Sequence, residues 1–326
     1  MAANVETLFY NATDVNGLVD DRKVPWHGLG TPVMGALKSD DALKAAGLDW
    51  NVLVGDAVLR TPDGTLVDTD RKITYRDSDK KALGFVTGQY SVVQNRDAFS
   101  FTDQLIGTGE VTYETAGSLD GGRKVFLLAN LPETSILGDK VVPYMLFSNS
   151  HDGTSSVRVT ATPVRVVCQN TLNAALAGAK RIWSFVHRGD IESKVHEAQV
   201  TLANMKQYMS ELNTEAESLA KKKISGEQLK KFIDEMFPID DNGQYTIRRA
   251  KNMAYLRDEF IKRYNAPDLE NFKGTGWALI NAASDFASHT KPLRLTRNHQ
   301  ENVMLSFMNG NKIVDAAYDY ASELAA

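Results

Sequence analysis

Between residues 191 and 222 apolar side chains recur at intervals of three and four: Val195, Ala198, Leu202, Met205, Met209 and Leu212. That stripe predicts a helix buried along one side over roughly six turns. A helix this long needs a broad apolar surface to lie against. Shorter amphipathic stretches follow at 226–236, 246–264 and 276–288, and a last one spans 299–324 with a break near Gly310. The chain after residue 185 therefore reads as helical.

Before residue 185 the period is different. Residues 52–75 alternate or cluster as two strands around the turn Pro62-Asp63-Gly64, a hairpin signal. Another short β pair is expected over 84–93, and further strands over 111–116, 124–131 (across the turn 120–122), 141–148 and 155–167. In the last of these Val157, Val159 and Ala161 should face a core while Arg158, Thr160 and Thr162 point the other way, because side chains alternate along a strand. Ser39 and Asn95 each open a short helix. The expected fold is α+β: a mainly antiparallel β half with short helices, followed by a helical C-terminal half packed on it. Residues 1–35 read as an irregular arm, 36–185 as the α+β domain, and 186–326 as the helical region.

Composition narrows the partners. A chain of 326 residues with 43% apolar and 24% charged side chains can bury a sizeable core. No apolar run approaches the twenty or so residues that span a bilayer, so no membrane partner is expected. A single cysteine excludes an internal disulfide framework, and with no secretory signal visible the expectation is a cytoplasmic protein. The net charge is −4, divided unevenly: 14 Lys and Arg against 20 Asp and Glu in residues 1–150, and 23 against 21 in the remainder.

Two intervals lack acids entirely. Residues 153–189 hold Arg158, Arg165, Lys180, Arg181 and Arg188, with Trp183 among the last of them. Residues 286–300 hold His289, Lys291, Arg294, Arg297 and His299. Cations interleaved with aromatics suit single-stranded nucleic acid, since rings stack on bases while cations neutralise phosphates. The segment 245–264, "YTIRRAKNMAYLRDEFIKRY", has the same texture, although a basic solvated helix face explains it equally well.

The stretch 162–176, "TPVRVVCQNTLNAAL", changes from strand-like to helix-like at its midpoint. A strand-to-helix turn is expected there, with Cys168 inward as a small buried residue and Gln169 and Asn170 toward a groove. Free backbone N–H groups at such a helix start favour an anion, held with Arg165, while helix capping by Asn is the competing reading. An enzyme using Cys168 would need a base from elsewhere, and no histidine stands at a recognisable catalytic spacing. Residues 30–35, "GTPVMG", have the glycines of a phosphate loop but not the Lys and Ser or Thr that must follow. The six histidines form no metal-binding pattern. No catalytic residue, metal or cofactor is assigned.

Taken together, "VPWHGLGTPV" (24–33), "GQYSVVQNRDAFSFTDQL" (88–105), "TPVRVVCQNTL" (162–172) and "GTGWALINAASDFASHTKPLR" (274–294) resemble the phage/plasmid-like protein family built on domain of unknown function 932. The resemblance spans nearly the whole chain and brings no established catalytic residues. It implies a mobile-element setting. With the acid-free intervals, it leads to the expectation of a protein that binds or anneals single-stranded DNA, working as a homo-oligomer. A host-factor-binding protein acting through the acidic N-terminal half is the alternative.

Overall fold

A computed structural model describes residues 6–11, 31–33, 38–100, 103, 111–155, 157–165, 182–185, 191–239, 246–294, 302 and 310–324. Its centre is an eight-stranded sheet. Along it run β11 (Ile182–Phe185), β10 (Val157–Arg165), β9 (Asp139–Ser150), β7 (Lys124–Asn130), β6 (Thr112–Leu119), β1 (Glu6–Asn11) and β2 (Thr31–Val33), with β8 (Thr134–Ile136) folded back on β9. Among the described residues only β1 and β2 pair in parallel; the other pairings are antiparallel. The first 35 residues are thus not irregular throughout, because two short stretches of them join the sheet. They escape periodicity because six and three residues are too few to show a pattern.

Register sorts the side chains. Ala116, Leu127, Phe147 and Val159 stand opposite one another across β6, β7, β9 and β10. All are fully buried and belong to one continuous apolar core. Onto this face packs α3 (Ile191–Lys221), which supplies Met205, Tyr208 and Leu212 to that core. The alternation expected for β10 holds, but the other face is buried too: Thr160 and Thr162 are no more than 1% exposed.

The helical half then builds outward through α4 (Gly226–Met236), α5 (Ile247–Tyr264), α6 (Gly276–His289) and α7 (Lys312–Glu323). These boundaries lie within a residue or two of the periodic stretches, except that the described part of the last helix begins beyond Gly310. Helix α6 is the hub, buried from Gly276 to Ser284. A Cβ at Gly276 would sit 3.1 Å from the Ala321 Cβ and 3.2 Å from the Leu219 carbonyl oxygen, so its absence lets α3, α6 and α7 converge.

A second sheet of three strands, β3 (Val52–Arg60), β4 (Leu66–Arg76) and β5 (Ala82–Val86), contains the expected hairpin. The β pair expected over 84–93 is instead the end of β5 followed by an extended loop. The reason is in the hydrogen bonds: Gln94 acts as a strand surrogate, accepting from the Val52 N–H at 2.8 Å and donating to its carbonyl at 2.9 Å.

What holds the second sheet against the first is a buried polar knot at the end of β9. The Asn95 side chain, at the start of α2 (Asn95–Ser100; α1 is Ser39–Ala45), donates to the Leu48 carbonyl at 2.9 Å, which leaves its oxygen to accept from His151 Nε2 at 2.7 Å. The His151 backbone N–H donates to Arg123, and its carbonyl accepts from Thr74 of β4. Trp50 meets the imidazole edge-on at 5.4 Å, and the Arg76 guanidinium lies 5.3 Å from the same indole. Tyr90 and Asn149 add clamps to the Ser150 and Val93 carbonyls. At Gly84 of β5 a Cβ would come within 2.5 Å of the Asp152 Cα, so only glycine admits this approach.

The knot can be tested at two residues. Gly84→Ala should destabilise the fold by about 2–3 kcal/mol through backbone displacement, read by urea unfolding; a change below about 0.5 kcal/mol would contradict the packing. His151 is buried and neutral, and burial lowers its pKa from 6.5 to about 4. Between those values the unfolded chain binds the extra proton, so stability is fully present above pH 6.5 and lost as pH falls toward 4. Unfolding at pH 5 should therefore cost about 2 kcal/mol less than at pH 7.5, and His151→Gln should flatten that difference. Equal stabilities of the unmodified protein at the two pH values would refute it.

Candidate nucleic-acid interface

The cations singled out in the sequence fall in separate places. Arg158 on β10 stands opposite Ser148 on one side and Ser184 on the other, on the sheet face away from α3, and is half-buried. Trp183 stands opposite Val159, so it faces the other way and packs against the core. Arg165 ends β10, and its side chain lies outside the described residues, as do Gln169, Asn170, Lys180, Arg181, Arg188, Arg297 and Cys168. The turn expected at 165–170 lies outside them as well. His289 closes α6, and Lys291 and Arg294 follow it; all three are exposed. Arg158 is separated from them by the sheet and the helix layer.

On the face of Arg158, β7, β9 and β10 bring Asn130, Tyr144 and Thr162 into one cross-strand row. The Asn130 Oδ1 and Thr162 Oγ1 atoms there are buried without partners. Burial, with the carboxylates of Glu114 and Glu133 nearby, raises the Tyr144 hydroxyl well above its ordinary value, so it stays a neutral phenol.

The second acid-free interval forms the rim of a groove of about 370 Å³. Its floor is apolar, built by Met236 at the end of α4 and Phe237 just after it, Leu256 of α5, and Phe286 and Ala287 of α6. The chain then turns across it as Thr290, Lys291, Pro292 and Leu293, and the start of α7 closes the opposite wall with Asn311, Lys312 and Ile313. Asn311 caps that helix by accepting from the Ile313 N–H at 3.2 Å. Phe237 and Phe286 lie 5.2 Å apart, each also against Phe260. Lys291 and Lys312 thus both border this apolar surface.

The geometry is locked by Arg263. Its guanidinium donates to Asp285 at 2.6 Å, to Glu259 at 3.3 Å and to the Thr290 hydroxyl at 3.0 Å. Arg257 is likewise engaged with Asp234 and the Phe237 carbonyl. Much of the basic character of α5 therefore goes into internal ion pairs. Sequence reasoning found Lys291 but missed Lys312, Asn311 and Phe237, which come from segments with no charge signature of their own. A polar residue after Gly310, placed to cap a helix, was the available signal for Asn311.

Ser150, His151 and Asp152 are consecutive, and their chemistry invites a catalytic reading that the contacts exclude. Ser150 donates to Asp152, while His151 turns the other way to Asn95. Burial alone would raise the Asp152 carboxyl, but hydrogen bonds from Ser150 and Thr154 outweigh it and leave its pKa below the ordinary value. The serine therefore faces a weakly basic carboxylate and has no contact with the imidazole. Among the described residues no cluster of three or more His, Cys, Asp or Glu could hold a metal, and no helix is long and apolar enough to cross a membrane.

Arg263→Met should cost about 2–3 kcal/mol of stability. That is below the usual cost of breaking a fully buried pair, because Arg263 and Asp285 remain about one-sixth exposed. Chemical denaturation measures it, and a neutral effect would show that the lock is dispensable.

No curated protein and no solved structure matches this chain significantly. The family description Domain of unknown function (DUF932) matches residues 82–307, from β5 through α6 and beyond, which includes Asn95 and His151 of the knot, but not Leu48, Trp50, Thr74 or Arg76, and most of the groove. The chain belongs to the DUF932 family.

Proposed function

We propose that this protein binds single-stranded nucleic acid, acting in single-stranded DNA binding or annealing within phage or plasmid DNA metabolism in the host cytoplasm. The observation that carries the reading is the groove at the end of α6, where an apolar, aromatic floor lies between Lys291 and Lys312. A base laid against Phe286 and Leu293 would leave its phosphates beside the two ammonium groups. The positive end of the α7 dipole, at the helix start that Asn311 caps, adds a favourable field for an anion. Arg294, exposed beside the groove, extends the cationic track, and His289 stands exposed near it. This site is narrower than the full set of cations in the two acid-free intervals. No part of this reading requires a cofactor or a catalytic cysteine.

The test is a binding titration on a fluorescent oligothymidylate at several salt concentrations. Affinity should fall with salt at a logarithmic slope of about −0.7 per phosphate contact. Lys291→Ala and Lys312→Ala should each reduce that slope by about 0.7 and weaken all sequences alike. Phe286→Leu keeps an apolar side chain in the core yet removes the ring, so it should cost about 1 kcal/mol of binding with the slope unchanged. Absence of binding at low salt would overturn the proposal and favour a host protein as partner, which a nuclease-insensitive pulldown would identify.

A further inference from the structure

The three-stranded sheet concentrates the exposed apolar surface. Of 13 large hydrophobic side chains exposed among the described residues, seven lie on it: Leu53, Val54, Val58, Leu59, Leu66, Val67 and Phe85. Beyond the irregularity at Ala57, the β3–β4 hairpin is exposed on both faces, from Val58 to Arg60 and from Leu66 to Asp70. Its outer edge is β3, which among the described residues pairs only with β4.

The edge is bounded at both ends. At Val52 the Gln94 amide occupies both outward backbone groups. At the far end the strand runs into Pro62, which has no N–H to give. Between them the ladder with β4 uses the odd-numbered residues, as the Thr61 N–H to Thr65 bond fixes, so the even ones turn their N–H and C=O groups outward. Among the described residues Val54, Asp56, Val58 and Arg60 therefore present an open edge, a template for another strand.

Charge selects the strand. An antiparallel copy of β3 centred on Val58 puts Val58 opposite Val58, and Asp56 opposite Arg60 twice. The three outward residues Asp56, Val58 and Arg60 fall in phase to exchange six backbone hydrogen bonds. Centring on Asp56 instead would oppose two carboxylates, which is unfavourable. Asp56 already contacts Lys72, but it is 75% exposed and has lone pairs to spare, while Arg60 makes no ion pair among the described residues. The Leu59 side chains would pack against Ala57 of the other copy.

We infer that the β3 edge is a self-complementary interface through which two copies of this chain join their three-stranded sheets into one six-stranded sheet around a twofold axis. The interface is distinct from the groove and does not depend on what the groove binds. An isologous contact of this kind closes as a dimer.

The test is sedimentation velocity on the full chain across a concentration series, with circular dichroism to verify folding. A concentration-dependent dimer is expected. Val58→Pro removes an outward N–H that the intramolecular ladder does not use, and it should weaken the dimer at least about tenfold while the fold is retained. Arg60→Asp should do the same by opposing like charges, by about tenfold or more. The double variant Asp56→Arg/Arg60→Asp should restore association to within about threefold, a recovery that a merely structural disturbance would not give. A chain that stays monomeric to about 100 μM, weaker than the range of stable specific interfaces, would overturn the inference. So would a dimer indifferent to both single changes, or a double variant no better than the singles.

Discussion

The hydrogen bond from His151 to Asn95 sits where four parts of the chain meet. It joins the end of β9 to the start of α2, with the Leu48–Trp50 segment held by the same amide and β4 held by the histidine carbonyl. A charged imidazole is disfavoured there, because burial penalises it and the acceptor already has its proton. The neutral tautomer with hydrogen on Nε2 is the one that fits. Its other nitrogen is left without a partner, a cost the surrounding contacts must offset. That fixed joint aims the β3–β4 hairpin outward, and so makes its free edge available.

The helical half rests on a different constraint, the close approach at Gly276. With α3, α6 and α7 drawn together there, α6 runs as a buried rod whose far end carries Phe286 to the groove floor. The same helix bears Asp285, whose pair with Arg263 settles the turn at Thr290. Lys291 reaches the rim because of that pairing. The protein thus uses several of its cations as internal fasteners and leaves a few others to face solvent.

Much of this was legible in the sequence, for reasons that differ along the chain. Helices α3 to α6 follow from periodicity, since each needs an apolar side long enough to repeat several times. The hairpin followed from its turn chemistry at Pro62-Asp63-Gly64. Strands β1, β2 and β8 were invisible because pairing to a sheet edge, not local pattern, makes them strands. The knot was hidden for another reason: "SNSHDGT" at 148–154 reads as an ordinary polar turn, and only the tertiary approach of Asn95 gives His151 its part. As for the groove, its cations at 291 and 294 were conspicuous by the lack of nearby acids. Its floor was not, because Phe237, Leu256 and Phe286 come from three helices. Trp183 and Arg158 looked like companions in sequence, yet the register of β10 with β11 sends them to opposite faces.

The groove can be interrogated by photo-crosslinking to an oligonucleotide carrying 4-thiothymidine, followed by peptide mapping, which reports contact at the residue level without reference to affinity. Binding of a single strand in the groove predicts crosslinks concentrated in the peptides that contain Phe286 to Arg294 and Asn311 to Ile313, suppressed by unlabelled single strand. Crosslinks confined to other parts of the chain, or none above background, would contradict it.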